Sequence, residues 1–123
     1  MKELTKKKGI ILTSKDYKEN ARLLTILTED GLENAILRGA NKINSKNKKF
    51  TIIPVEVEYV RTISTLATFT EGYITNNFIN LKLDQNKSLI YLAIVEKILT
   101  FTDSIDDKLQ MYEFVNKILT LLD

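Results

Sequence analysis

Hydrophobic and polar residues alternate with a period of two from Lys8 to about Thr75, a pattern typical of β-strands. The pattern predicts five short strands separated by polar turns, and they cover Gly9–Thr13, Arg22–Thr28, Leu32–Arg38, Phe50–Tyr59 and Leu66–Thr75. Glu29-Asp30-Gly31 separates the second strand from the third. Asp-Gly is a strong hairpin signal because glycine adopts positive φ without a Cβ clash. We therefore expect these two strands to be antiparallel neighbours, and Pro54 suggests that the fourth strand has an edge position or a bulge.

After Asn76-Asn77 the apolar positions recur at intervals of three and four, which is the period of a helix. The pattern predicts a helix over about 86–101 with a cap near Asp84, and a second helix whose start is marked by Ser104, three residues before Asp107. The apolar stripe of the second helix consists of Leu109, Tyr112, Val115, Ile118, Leu119 and Leu122. Because this stripe runs to the end of the chain, we expect an incomplete helical domain whose stripe is partly uncovered, or is covered only by the strands or by a second copy. We therefore expect a homodimer through the exposed helices.

Five short strands, a long loop and then helices fit a small Greek-key barrel such as the OB-fold. An SH3-like barrel fits the strand count nearly as well, and periodicity does not choose between them. The predicted fold is therefore mainly β with C-terminal helices: a five-stranded antiparallel barrel over residues 1–80, followed by a helical segment over residues 81–123.

The composition argues against an enzyme, because the chain has no cysteine and no histidine. Disulfides, thiolate zinc sites and thiol nucleophiles are excluded, and the commonest metal ligand and general base is missing. Glu56 and Glu58 share one face of the fourth strand, which we interpret as a solvent face and not as a metal site. We expect no cofactor. No apolar stretch reaches the roughly 20 residues of a membrane helix, and the basic N-terminus lacks a signal-peptide pattern, which favours a cytoplasmic protein without a membrane partner.

The net charge of +2 hides a division along the chain. Residues 1–49 carry 12 Lys and Arg against 6 Asp and Glu, which is +6, whereas residues 50–123 carry 6 against 10, which is −4. Closely spaced cations neutralise nucleic-acid phosphates. The candidate phosphate contacts, called here the basic cluster, are Arg38, Lys42, Lys46, Lys48 and Lys49, with Arg22 as a weaker candidate. Tyr17, in a polar turn, is the best candidate for base stacking, whereas Tyr59, Phe69 and Tyr73 are better explained as core.

Several segments, in order, resemble the N-terminal part of RecO recombination-mediator proteins. Gly9-Ile10-Ile11-Leu12 followed by Asp16-Tyr17 and Leu23-Leu24, up to Gly31, resembles the opening of that family. Arg38-Gly39-Ala40 with the following lysines resembles its basic segment, and Phe50, the strand from Val55 to Tyr59 and the segment 66–71 follow in the same order. In this sequence Asn41 stands where an Arg often follows Gly-Ala, and Lys49 replaces a Pro.

The resemblance implies an N-terminal OB-fold that binds single- and double-stranded DNA, assists strand annealing, and works with RecR to load RecA. It also implies that the single-strand-binding protein is received by a longer C-terminal helical domain, of which this chain has only the start. The alternative hypothesis is a protein-interaction module whose lysines serve solubility. The clustering of positive charge in the half with the basic cluster favours DNA binding.

Overall fold

Five strands form a closed barrel, and three helices pack on its outer surface, in a computed structural model that describes residues 3–40 and 45–123, with only the backbone of residue 103. The strands are β1 (Leu4–Tyr17), β2 (Ala21–Thr28), β3 (Gly31–Arg38), β4 (Val55–Thr62) and β5 (Ala67–Asn76). The helices are α1 (Ile79–Leu83), α2 (Gln85–Phe101) and α3 (Lys108–Leu122), and single 3-10 turns cover Lys48–Thr51 and Thr102–Ser104.

The strands are hydrogen bonded in the order β1-β2-β3-β5-β4, and β4 closes the ring by pairing with β1. All pairs are antiparallel except β3 with β5, which is parallel. The prediction of a purely antiparallel barrel was therefore wrong. The reason is geometric: strand directions cannot alternate around a closed ring with an odd number of members, so one pair must be parallel.

The hairpin between β2 and β3 confirms the predicted antiparallel pair. Thr28 pairs with Gly31, so the connecting loop contains only Glu29 and Asp30. Gly31 has a φ of 110°, which only glycine adopts readily. The Thr28 hydroxyl donates to the Gly31 carbonyl at 2.9 Å and accepts from the Asp30 amide at 3.1 Å, which satisfies polar groups of the turn.

The largest differences from the predicted boundaries are in β1 and β4. β1 is longer at both ends, because its first half pairs with β4 and its second half with β2, so that even the lysine-rich start is held in a sheet. The predicted strand from Phe50 begins only at Val55, since a 3-10 turn over Lys48–Thr51 instead places the Phe50 ring in the core. β4 is paired on both sides and is not an edge strand, and Pro54, which has no N–H, precedes it.

The barrel interior is a core of aliphatic side chains with three aromatic rings. Tyr59 and Phe69 are stacked with their ring centroids 5.1 Å apart, and Phe50 lies 4.9 Å from Phe69 in a tilted arrangement. The Tyr59 hydroxyl donates to Glu33, whose carboxylate also forms a 2.9 Å ion pair with Arg61. Burial and the neighbouring Glu33 raise the pKa of Tyr59, which remains protonated. The interpretation of Tyr59 and Phe69 as core residues is confirmed.

A second core lies between the helices and the outer surface of the barrel. Ile10 and Leu12 of β1 and Leu27 of β2 point outwards into it, and the helices cover them with buried side chains: Phe78, Leu81, Tyr91, Val95, Ile98, Tyr112, Val115 and Leu119. Tyr112, Val115 and Leu119 of the α3 stripe are covered in this core, whereas Leu109 is exposed and Ile118 and Leu122 are half-buried. The stripe is thus partly uncovered, as one of the predicted alternatives had it. A homodimer remains a prediction.

The N-terminal cap of α2 agrees with the sequence prediction, whereas the N-terminal cap of α3 differs from it. Asp84 caps α2 by accepting from the Lys87 amide at 3.1 Å, as predicted. For α3 the cap is Asp107, which accepts from the Gln110 amide at 2.9 Å. Ser104 instead donates to the Phe101 carbonyl, because it lies in the 3-10 turn between the helices.

One polar contact ties α2 to an irregularity in β1. Between Ile11 and Thr13 the pairing of β1 with β2 shifts by one residue, so Leu12 is the extra residue of a β-bulge. The Leu12 carbonyl accepts a 2.7 Å hydrogen bond from the buried hydroxyl of Tyr91. Burial raises the pKa of Tyr91, so this donor keeps its proton. The bulge and the helix are therefore joined by a bond inside the second core.

Glu56 is a buried carboxylate between barrel and helix, which corrects its predicted position on a solvent face. It is 9% exposed, and it accepts from Thr75 at 2.8 Å, from Tyr112 at 3.4 Å and from the Asn116 side-chain amide. The pairing of Ile10 with Glu56 explains why, since Ile10 lies in the same core. Glu56 thus anchors α3 to β4.

We predict that Glu56→Ala lowers the free energy of unfolding by about 1–3 kcal/mol, because it leaves buried donors of Tyr112 and Asn116 without an acceptor. Urea denaturation followed by circular dichroism measures this change. Glu58→Ala on the same strand, where the partner Tyr73 is exposed, is the matched control and should stay within about 0.5 kcal/mol. Equal effects of the two substitutions would contradict the anchoring role of Glu56.

Gly72 marks a close approach of β5 to β4. A Cβ atom there would lie 2.9 Å from the Glu58 carbonyl oxygen, 2.9 Å from the Phe69 ring and 3.0 Å from the Tyr59 Cβ atom. We predict that Gly72→Ala destabilises the protein by about 1–3 kcal/mol through overpacking. The neighbouring exposed Glu71→Ala is the control, and thermal unfolding that is equally unaffected in both variants would disprove the close contact.

Candidate nucleic-acid interface

Most of the described residues of the basic cluster lie at one end of the barrel, the end with the β1–β2 turn. Arg38 is the last residue of β3, and it is exposed. The segment that carries the exposed Lys46, Lys48 and Lys49 returns to the same place, because the Asn47 side-chain amide donates to the Arg38 carbonyl at 3.1 Å. This hydrogen bond to the backbone of Arg38 holds the segment that carries the three lysines next to Arg38. Lys42 lies outside the described residues.

Lys48 and Lys49 lie on a turn that is anchored to the barrel. The 3-10 turn begins with Lys48 and Lys49, and the side chain of its next residue, Phe50, is buried in the barrel core. The Lys49 ammonium lies 5.2 Å from the centroid of the Phe50 ring. Because Phe50 is buried, the backbone that carries these two exposed cations is fixed to the barrel. Cations on a fixed backbone lose less conformational freedom when they contact phosphate than cations on a loose chain would.

Arg22 faces β1 and not the rest of the basic cluster. Its guanidinium donates to the Ser14 hydroxyl at 2.9 Å and to the Ser14 carbonyl at 2.7 Å, and it forms a 2.6 Å ion pair with Asp16. The guanidinium therefore lies beside an acidic neighbour. A guanidinium held by three contacts fixes the neighbouring strands, and its DNA contact remains only a prediction.

Tyr17 lies in the same row of the sheet as Arg38. Tyr17 pairs with Ala21, and Ala21 pairs with Arg38, so these three neighbours project from one face of β1, β2 and β3. They border a groove of about 340 Å³ that is also lined by Lys18, Glu19 and Ile36. The structure therefore brings together two predicted site residues, Tyr17 and Arg38, which are 21 positions apart in the sequence.

Lys18 is a functional candidate that the sequence analysis missed. Its ammonium lies 5.4 Å from the centroid of the Tyr17 ring, within the range of a cation–π contact. Lys18 and Asn20 have φ values of 51° and 57°, so two residues other than glycine adopt the left-handed conformation in the three-residue turn. Unusual backbone of this kind is found preferentially at binding sites. The available signal was the position of Lys18, a cation next to the aromatic residue of a tight turn.

Tyr73, the remaining aromatic candidate, lies on another part of the barrel. It is exposed and its hydroxyl donates to Glu58, and this hydrogen bond is the main cause that raises its pKa. Its pairing with Glu58 of β4 places it on the face formed by β4 and β5. The expectation that Tyr73 belongs to the core was wrong, because the bulge around Thr70 reverses the alternation of β5.

The described residues contain no group of three or more acidic side chains that could hold a metal ion. None of the helices in these ranges has the length and hydropathy that a membrane span requires.

Comparison with protein families gives a match. The family described as "Recombination protein O N terminal" matches residues 1–78, which include all five strands and stop before α1. The chain belongs to this family. The resemblance to RecO inferred from the sequence is thereby confirmed, and a recombination role in DNA repair follows at the level of the family. A search of curated proteins found no match. The RecO N-terminal region thus coincides with the barrel, and the second core joins it to the helices that follow.

The left-handed turn of the RecO N-terminal barrel generates a prediction about stability. Lys18→Ala and Lys18→Gly both remove the ammonium above Tyr17, but only glycine relieves the strain at a φ of 51°. We expect Lys18→Gly to be more stable than Lys18→Ala by about 1 kcal/mol, measured by chemical denaturation. An alanine variant as stable as the glycine variant would show that residue 18 does not adopt this conformation in solution.

Proposed function

We propose that this RecO N-terminal barrel is a DNA-binding, non-enzymatic mediator module that binds single- and double-stranded DNA through its basic end. The observation that carries the proposal is that the segment with the exposed Lys46, Lys48 and Lys49 is hydrogen bonded to Arg38, which pairs with Ala21 beside the β1–β2 turn. Cations gathered on one surface release counterions when they neutralise a nucleic-acid backbone. The outward side chains that the helices cover are Ile10 and Leu12 in the middle of β1 and Leu27 at the far end of β2, away from Arg38.

The barrel itself supports an OB-fold assignment. Its closed order of β1-β2-β3-β5-β4 has the five strands and the Greek-key crossover of that fold. OB-folds bind oligonucleotides on the face of the second and third strands, between the loop that joins strands one and two and the loop that joins strands four and five. Tyr17, Ala21, Ile36 and Arg38 lie on this face here. Annealing, RecR binding and RecA loading follow from the family as further parts of the proposal.

A second candidate function, protein binding, is favoured by a separate observation. An apolar groove of about 480 Å³ runs between α2 and α3, and its lining includes the exposed Ile90, Phe101 and Phe114. Large exposed apolar side chains gathered in one groove favour a protein contact. This groove lies on the helices and not on the basic end, so the two functions do not compete for one surface.

We predict that affinity for a fluorescein-labelled single strand falls with salt, with a logarithmic slope of roughly −2 to −3.5 for three to five phosphate contacts. Fluorescence anisotropy at several salt concentrations measures the slope. Arg38→Glu combined with Lys48→Glu should weaken binding to all sequences alike, because phosphate contacts carry no base information. The slope should become smaller in magnitude by about 1.4.

The control is Lys97→Glu combined with Lys117→Glu, which makes the same change of charge on exposed positions of α2 and α3. If the control weakens binding as much as the double variant of the basic cluster, net charge and not this surface is responsible. If the unaltered protein shows no salt-dependent binding to single strands or duplexes, the protein-binding function takes the place of DNA binding.

A further inference from the structure

Helix α2 has more apolar surface than the barrel covers. Tyr91, Val95 and Ile98 are buried on one side of the helix. On the rest of the helix four large apolar side chains are at least half exposed, namely Leu89, Ile90, Leu92 and Phe101. A helix that is apolar nearly all round is ordinarily enclosed by other elements. A large part of α2 therefore lacks a packing partner among the residues that the structure describes.

The groove between α2 and α3 has the spacing of a helix-packing surface. Along its α2 wall the lining residues follow one another at steps of four, three and four, as Ile90, Ile94, Lys97 and Phe101. Along its α3 wall the steps are three and four, as Met111, Phe114 and Ile118. Alternating steps of three and four are the pattern of helices that pack side by side in coiled coils and four-helix bundles. The groove therefore fits helices better than an extended segment.

The charges around the groove favour a second copy of this chain over a strongly charged partner. The exposed charged side chains of the two helices are Glu96, Lys97, Glu113 and Lys117, one acid and one base on each helix. This balance attracts neither an acidic nor a basic partner. In an isologous contact the same patch meets itself, so equal numbers of both signs avoid net repulsion.

The two helices present a face large enough for a stable dimer. α2 has 17 residues and α3 has 15, so they are about 25 Å and about 22 Å long. Two helices side by side, each about 10 Å wide, cover roughly 500 Å² in projection. Burying this face on both copies removes at least about 1,000 Å² of accessible surface, which reaches the size of a specific interface.

We propose that the α2–α3 groove joins two copies of this chain in a symmetric four-helix bundle. This surface differs from the stripe that suggested a dimer from the sequence, because Tyr112, Val115 and Leu119 of that stripe pack against the barrel. Phe101 and Phe114, which lie outside the stripe, line the groove and are exposed.

The bundle gives each particle two basic ends, because the lining of the groove and the basic cluster have no residue in common. This consequence rests on the proposed DNA binding and deepens it. Each basic end binds its own strand, so one dimer holds two strands at once.

Sedimentation equilibrium of the whole chain over a wide range of concentrations tests the bundle. The parent should form a dimer, and Phe114→Glu should raise the dissociation constant of the dimer by at least about 30-fold, as expected for an aromatic anchor of an interface. Ile63→Glu makes the same change of charge at an equally exposed apolar side chain next to β4, and it is the control. It should leave the dimer unchanged. Circular dichroism verifies that both variants fold.

A measurement on the unaltered groove makes the test independent of how the variants fold. The chain has two methionines, and Met111 lines the groove. With carbon-13 labelled methionine methyl groups, the Met111 resonance of the parent should shift as the protein is diluted and the dimer dissociates. Met111→Leu identifies this resonance by its loss.

Energy transfer between two non-complementary single strands, one with a donor dye and one with an acceptor dye, tests the two basic ends. The parent dimer should produce transfer. At the same concentration Phe114→Glu should bind each strand with the affinity of the parent, measured by anisotropy, and should produce no transfer.

The outcomes separate the bundle from DNA binding. A parent that stays monomeric at every concentration, or a dimer that Phe114→Glu and Ile63→Glu leave equally stable, disproves the bundle. If the parent is monomeric and a synthetic amphipathic helix shifts the Met111 resonance, the groove is a site for another protein and the bundle is overturned. A dimer that binds single strands without energy transfer disproves the two-strand consequence. If the parent binds no DNA, the proposed function fails, while sedimentation still decides the bundle.

Discussion

The burial of β1 on both of its faces is the constraint on which the rest of the structure depends. Ile11 points into the barrel, whereas Ile10 and Leu12 point outwards and are fully buried under the helices. A strand of a small barrel ordinarily has one solvent-exposed face, so these two outward apolar side chains must be buried by another element. The helices provide it, and the two cores share β1 as a common wall. Residues beyond 78, where the family match stops, thus complete the burial of residues inside it.

This cover divides the outer surface of the barrel into two parts with different chemistry. Near the Glu29-Asp30 loop the surface is occupied, because α3 approaches Gly31 through the Lys108 side chain. At the other end of the same strands the surface stays open, and it carries Tyr17, Lys18 and Arg38. Since β2 and β3 are continuous and rigid, the position of the helices determines which end of the strands remains accessible. The same strands therefore pack against the helices at one end and leave a surface open to ligands at the other.

The sequence predicted the elements better than their arrangement. The alternating pattern located all five strands, and the Asp30-Gly31 signal gave the hairpin that pairs Ala21 with Arg38. The basic cluster and Tyr17 were proposed from charge and from their place in polar turns, and their contact with DNA remains a prediction. The parallel pair of β3 with β5 was missed, because it arises from ring closure and not from any local pattern. The burial of Glu56 was missed for a similar reason. Alternation shows that Glu56 points out of the barrel, but only the docked helix excludes water from that side. Lys18 was missed because its contact with Tyr17 depends on the left-handed turn.

The bond from the Tyr91 hydroxyl to the Leu12 carbonyl has a consequence for how this architecture can change in evolution. The acceptor of the Tyr91 hydroxyl is the carbonyl of the extra residue of β1, so this bond depends on the bulge. Deleting the extra residue would turn the following side chains of β1 to the opposite face, and it would also leave a buried hydroxyl without an acceptor. A change in the length of β1 therefore requires a change in α2 as well, although 79 positions separate the two partners.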